Sequence, residues 1–506
     1  MTQHPRMPAL PEAYQKLRDR GRELTLLGAT GGLLGWDQET LLPPKSHSFR
    51  AEQSAQIAGL GHRLATAPEV GDWLSACEAA QPNPASPEAS CLARWRHDYN
   101  RATKIPTALV EENERASGLA RSVWVEARKK SDFSSFAPHL EKLLTLSRRM
   151  ADLWGYTDQP YDALLEGYEP GWKTREVTAL FTKLQPRLVA IAEKAFAIPA
   201  HPSRKNLSGH YPRADQEKFL KSLLPKIGFD TAAGRLDTST HPFCSGLGPH
   251  DTRMTTRYDE TDFMVSLYGV LHEAGHGLYD QGLPEKELGT PLGQAASLGI
   301  HESQSRLWEN RVGRGHAFWK TWWPDLVRAF PDLTGHNWEH CWRAANAVER
   351  SFIRVEADEV TYDLHILLRF QLEVRLISGD LKVKDLPAAW NDLFQKLLGL
   401  KVPDDAKGCL QDIHWSLGSF GYFPTYTLGN LAGSQLWKAA HRELPGLPNQ
   451  LDQRDYQPLL HWLRQKVHSH GRRYLAGDLI RHATGKALDP EDHLSILEQK
   501  VKDLAS

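Results

Sequence analysis

The chain has 506 residues, with 61 Lys and Arg against 62 Asp and Glu for a formal charge of −1, and its isoelectric point is near 7.1. That length allows about three domains or one large helical body, and the neutral balance encodes no global pull toward nucleic acid or an anionic membrane. Five cysteines (Cys77, Cys91, Cys244, Cys341, Cys409), odd in number and without a CxxC pair, argue against a disulfide framework.

The opening residues are polar and charged where a signal peptide needs an apolar stretch, so a cytoplasmic location is expected. Residues 24–36 are the nearest approach to a membrane segment, and they are too few and too glycine-rich to span a bilayer. Apolar positions at helical spacing run through residues 8–34; Gly31-Gly32 predicts a break, and an ordered turn then leads to Pro43-Pro44. Residues 50–64 read as the next helix, and QPNPASP at 81–87 as a surface loop. From 88 to 198 nearly every window is charged and amphipathic, as in HLEKLLTLSRRM at 139–150, which predicts a bundle of long helices. No fixed-period repeat is visible, which excludes a solenoid of the TPR type.

The character changes between about 200 and 258, where residues 228–258 are dense in Gly, Pro, Thr and Asp. Short strands fit best, forming a small antiparallel sheet whose edge could pair with an extended peptide. After 283 the chain reads as helical almost to its end, with breaks around 329–336, 377–387, 400–408 and 441–450. The expected fold is mainly α, one unit over 1–506 with a helical half to 200 and a catalytic half from 201.

The stretch after Thr261 carries His272-Glu273-Ala274-Gly275-His276, an HExxH motif. Chance predicts on the order of 0.06 such matches in a chain of this composition, so context has to decide. Phe263, Leu267, Val270, Leu271, Ala274 and Leu278 recur at the spacing of a buried helix, with Asp262 as the predicted N-cap and Gly282 as the predicted stop. On that helix His272 and His276 share a face and can both reach one metal ion, while Glu273 can serve as general base to its water. The bland alternative is two core histidines satisfied by hydrogen bonds. A hydrolytic site needs a third protein ligand that leaves one position open, and Glu302 in LGIHESQSRLWEN supplies it, 30 residues after His272.

An ordered set of motifs extends the pattern: His241-Pro242-Phe243, the DxRxT of Asp251 to Thr255, HEAGH, His301-Glu302-Ser303-Gln304, the IRxxAD of Ile353 to Asp358, and the GxxQDxHW of Gly408 to Trp415. With WDQET at 36–40 and RAEQ at 50–53, the chain resembles the thermostable carboxypeptidase (carboxypeptidase Taq) family of HExxH metallocarboxypeptidases over nearly its whole length. The resemblance implies a mostly helical cytoplasmic homodimer with a deep active-site groove and one zinc or cobalt ion. Its substrates are peptides with a free C-terminus, with neither nucleic acid nor membrane as partner.

A carboxypeptidase must grip the α-carboxylate of its substrate, which a guanidinium fork does best; Arg354 is the first choice and Arg253 the second. Negative charge growing on the scissile carbonyl oxygen calls for hydrogen-bond donors, and His414 and Tyr426 are the candidates, with Tyr422 as fallback. Their spacing is similar to that of the His and Tyr of the related thimet-type oligopeptidases. His241 and Gln411 are expected to line the same pocket, and Asp358 or Asp412 to orient a ligating imidazole. Two other readings compete: an endo-oligopeptidase of the same wider fold, which needs no carboxylate anchor, and a silent peptide-binding scaffold, which needs no Glu273.

Overall fold

The computed structural model describes residues 11–198, 203, 207 and 209–506. α1 (Glu12–Thr40) and α2 (His47–Ala65) pack against each other, followed by α3 (Pro68–Ala79) and α4 (Pro87–Lys104). The expected helix start at residues 8–10 lies outside the described residues. α1 runs unbroken through Gly31-Gly32, correcting the predicted break. A Cβ on Gly32 would lie 2.8 Å from Leu247, so the glycine admits a neighbour rather than ending the helix.

α5 (Thr107–Lys130), α6 (Phe133–Trp154), α7 (Pro160–Leu165), α8 (Thr174–Phe196) and α9 (Arg213–Lys226) complete the N-terminal run. α6 shows how pattern becomes packing. The Asp132 carboxylate accepts from Ser135 N at the N-terminus, Phe133, Phe136, Leu140, Leu143, Leu144 and Ser147 bury one face, and Gly155 closes the helix at φ 80°. One continuous core runs from Ala120 to Leu504, so α5 to α8 share it with the C-terminal part of the chain. α1, α3 and α4 form a separate small cluster around Tyr14, Leu17, Leu74, Cys77 and Leu92.

β1 (Gly234–Thr238), β2 (Cys244–Gly248) and β3 (Asp251–Thr256) form one sheet in the order β1-β3-β2. β2 and β3 make an antiparallel hairpin, but β1 lies parallel to β3 with Gly234 opposite Thr252. The sheet is therefore mixed, not wholly antiparallel as expected. Residue types set which face of a strand is buried; strand direction depends on the 239–243 connection carrying β2 past the place that β3 fills.

α10 (Met264–Asp280) packs on this sheet, and α11 (Leu298–Arg306) continues into a π-helical turn, Leu307–Gly313. α12 (His316–Ala329), α13 (Trp338–Ala345), α14 (Tyr362–Ser378), α15 (Leu386–Leu398), α16 (Pro424–Glu443), α17 (Leu447–Leu451), α18 (Gln457–Lys466), α19 (Ala476–Thr484) and α20 (Glu491–Ala505) follow. Phe263, not Asp262, is the N-cap of α10, although the Asp262 carboxylate accepts from Met264 N at 3.0 Å. Gly282 follows the C-cap Gln281, at the predicted stop, but without a positive φ, and it gives room to His468. Residues 346–361 and 399–423 are largely non-helical, longer interruptions than the pattern predicted. Among the described residues no helix is long and apolar enough to cross a membrane.

α11 lies between α10 and α16, and glycines set both approaches: a Cβ on Gly275 would fall 2.5 Å from Ser305 Cα, and one on Gly429 2.7 Å from Glu302 Cβ. Gly275→Ala is expected to destabilise the protein by about 1–3 kcal/mol, because backbone has to move to admit the methyl. Gly118→Ala on the open side of α5, where nothing lies within 4 Å, should instead gain up to about 1 kcal/mol of helix propensity. Urea denaturation of both variants measures the contrast, and equal midpoints would refute the packing argument.

Candidate active site

His272 and His276 stand one turn apart on α10 and face Glu302 on α11. His272 Nε2 lies 3.6 Å and His276 Nε2 3.5 Å from Glu302 Oε2, and among the described residues this is the only set of three donors so gathered. The other nitrogen of each ring is taken: His272 Nδ1 lies 3.0 Å from Glu309 Oε2, and His276 Nδ1 2.5 Å from His301 Nδ1. Both Nε2 atoms therefore converge on one carboxylate oxygen. Two imidazoles and a carboxylate, each with its remaining atoms held from behind, fit a borderline divalent cation with a position left open.

Charge balance around the three is tight. Arg306 Nε donates to Glu302 Oε1 at 2.7 Å and Ser305 Oγ to Oε2 at 3.1 Å, while Arg306 and Arg314 both reach Glu309. Burial raises the Glu302 carboxyl, but Arg306 and the two imidazoles outweigh it and hold it well below the usual range. The histidines split. Burial opposes protonation of both, yet Glu302 and Glu309 lift His272 up to about 9, whereas His276, backed by another imidazole, is pushed down to about 4. Glu273 is 6% exposed, and burial, partly offset by His272, pushes its carboxyl up to about 7, a value suited to taking and returning a proton.

A second group stands beside the first. His414 Nε2 lies 3.3 Å from the Tyr426 hydroxyl, the Tyr422 ring packs against both, and the charge of Glu302 is felt at both tyrosines. Burial pushes His414 down to about 4, so it is neutral. The Arg354 guanidinium lies 5.0 Å from the Tyr426 ring centroid. Its Nε and one terminal nitrogen donate to Asp412 Oδ1 at 3.0 and 2.8 Å, and the other terminal nitrogen donates to the Tyr362 hydroxyl at 2.9 Å. Arg369 holds the second Asp412 oxygen at 2.6 Å.

Other expected residues fall differently. All four hydrogen-bonding positions of the Gln411 amide are filled, by Arg354 N, Arg369, Phe352 O and Lys407 O, so it braces the Arg354 loop and has nothing left for a peptide. Asp412 holds two arginines and Asp358 caps the turn into α14 at Val360 and Thr361; neither bonds His272 or His276, and Glu309 and His301 do so instead. Arg253 is paired with Asp251 through two hydrogen bonds and stacks on Trp36 of α1, and His241 is an exposed residue between β1 and β2. Tyr362 went unpredicted: its hydroxyl meets Arg354 while its ring lies 4.4 Å from the Arg306 guanidinium. Glu309 was legible, two helical turns beyond Glu302. A cavity of about 970 Å³ between α1, α4, β2 and the loop after α10 takes in Asp280 but none of the three donors.

Two imidazoles and a carboxylate gathered from neighbouring helices, with a glutamate buried beside them, make a candidate metallopeptidase site. The family model described as carboxypeptidase Taq (M32) metallopeptidase matches residues 16–501. Thermostable carboxypeptidase 1 of Thermus thermophilus is 42% identical across 98% of this chain and 99% of its own length. Among solved structures, the M32 carboxypeptidase of Deinococcus radiodurans R1 superposes with a TM-score of 0.94 at 40% identity, covering 98% of this chain and all of that one (100%). Pyrococcus furiosus carboxypeptidase superposes with a TM-score of 0.94 at 35% identity over 97% and 99%. The chain belongs to the carboxypeptidase Taq (M32) family of metallopeptidases and is a metal-dependent carboxypeptidase, a peptide hydrolase.

Glu302→Ala is expected to release the metal, since two histidines alone hold a divalent ion weakly. Dialysis against a mild chelator followed by metal analysis checks this, and stoichiometric metal afterwards would exclude Glu302 as a ligand. Asp412→Ala leaves Arg354 and Arg369 buried without their carboxylate and should cost about 3–5 kcal/mol of stability in a denaturation experiment.

Proposed function

We propose that the protein removes single C-terminal residues from peptides of broad sequence using one divalent ion, zinc first and cobalt as the alternative, held by His272, His276 and Glu302. The supporting observation is the convergence of two imidazole Nε2 atoms on Glu302 Oε2 with buried Glu273 on the same helix. A cation there supplies positive charge that polarises a carbonyl and acidifies water. Glu273 takes the proton of the attacking water and delivers it to the leaving amine nitrogen. Tyr426, with His414 at its hydroxyl, donates a hydrogen bond to the scissile oxygen as negative charge builds there.

Arg354 anchors the substrate α-carboxylate. Asp412 occupies one edge of its guanidinium and Tyr362 one further N–H, so two of the five N–H groups remain, one on each terminal nitrogen. Arg253 and His241, on and beside the sheet, are kept as further substrate contacts in this reading, and Gln411 serves Arg354 rather than the substrate. Five free cysteines support a reducing, cytoplasmic setting. The homodimer rests on the family resemblance alone.

Glu273→Gln should keep the metal and lose nearly all turnover, because an amide preserves shape but takes no proton. More than a few per cent of wild-type activity at full occupancy would remove Glu273 as the base. Arg354→Ala should lower kcat/KM on a free-acid peptide by about 10²–10³ and leave the slow rate on its C-terminal amide unchanged, with Arg354→Lys recovering only part. Unchanged preference for the free acid would shift the anchor to Arg253.

A further inference from the structure

The two ligand histidines are held from behind in different ways. His272 meets a carboxylate, Glu309, directly. His276 meets an imidazole, His301, at 2.5 Å, and His301 Nε2 in turn lies 3.1 Å from Asp280 Oδ1. A nitrogen-to-nitrogen contact this short needs one hydrogen between the rings. If His276 turns its Nε2 lone pair toward Glu302 and a cation, its hydrogen sits on Nδ1 and is donated to His301 Nδ1. The His301 hydrogen then sits on Nε2 and is donated to Asp280. One tautomer of each ring satisfies every contact, and no other does so with a ligating His276.

The surroundings keep this chain in place. Asp280 follows His276 by one turn of α10 and His301 precedes Glu302 on α11, so the chain ties together the two helices that carry the ligands. The His301 ring packs against Tyr279, with centroids 5.2 Å apart. A Cβ on Gly246 of β2 would fall 2.6 Å from Asp280 Oδ2, so that strand leaves a berth for the carboxylate.

We propose that His301 and Asp280 are positioning residues that fix the ring orientation and tautomer of His276 and thereby set the affinity of the site for its cation. The inference rests on His276 being a ligand, as proposed above. A chain Asp280 to His301 to His276 polarises the ligand nitrogen and removes the entropy of a free ring, the usual effect of such outer partners.

Isosteric variants separate this from a structural clamp. His301→Asn places an amide oxygen where Nδ1 was, which keeps an acceptor for His276 and drops Asp280. His301→Gln reaches the Nε2 position instead, which keeps Asp280 and strips His276 of its acceptor. Zn²⁺ affinity of the full-length proteins is measured by competition with a chromophoric chelator, alongside the visible spectrum of the Co²⁺ forms. His301→Ala and His301→Gln should bind Zn²⁺ about 10–100-fold more weakly with an altered Co²⁺ band, whereas His301→Asn, which keeps the acceptor but loses the Asp280 link, should lose less, about 3–10-fold. Wild-type affinity in all three variants overturns the proposal, and so does an equal loss in Asn and Gln, the result of helix disruption alone. His276→Ala runs alongside: a loss there with none in His301→Ala defeats the relay only, while no loss there defeats the ligand reading beneath it.

Discussion

Glu302 is a carboxylate carried into the seam between α10 and α16, with 7% of its surface exposed. A charge placed there is tolerable only when opposite charge and hydrogen bonds surround it. Arg306 takes one oxygen and the two imidazoles face the other. Each partner brings its own demand: Arg306 is shared with Glu309, Glu309 with Arg314, and His276 with His301. The glycines at 275 and 429 let the three helices close to the distance at which these groups meet. Buried ionic networks of this kind contribute little net stability against an apolar core; what this one does is bring two imidazole Nε2 atoms onto one oxygen.

The same logic reaches the proposed carboxylate anchor. Tyr362 lies with its ring against Arg306 and its hydroxyl on Arg354, so one side chain touches both the support of Glu302 and the proposed anchor. Asp412 and Gln411 then fasten Arg354 and Arg369 to the 399–423 segment, which also carries His414. Two distant stretches of chain are thus locked to one geometry, the preorganisation a hydrolytic site needs before its substrate arrives.

The N-terminal helices stand apart energetically. α1 buries only Tyr14, Leu17 and Trp36 and α2 buries nothing fully, against the dense core of α10, α14 and α16. Trp36 nevertheless docks firmly, its ring meeting the guanidinium groups of Arg235 and Arg253 on the sheet. Local opening should therefore cost least in this part of the molecule.

The helical body, the HExxH helix and Glu302 were legible in the chain, because 3.6-residue periodicity and fixed ligand spacings are local properties that short windows express. The family resemblance followed from motifs that each stay within a few residues. What lay beyond the sequence were relations between segments. Strand direction in the sheet depends on how a connection crosses β3; the run through Gly31-Gly32 depends on Leu247, more than two hundred residues on. The arginine partners of Asp412 and Gln411 lie 42–58 residues away on another helix and loop, so spacing offered no sign that these groups brace arginines instead of meeting an imidazole or a peptide. Local pattern determined which residue types were available, and only tertiary packing, by desolvating charges and forcing each to find its complement, decided which of them met.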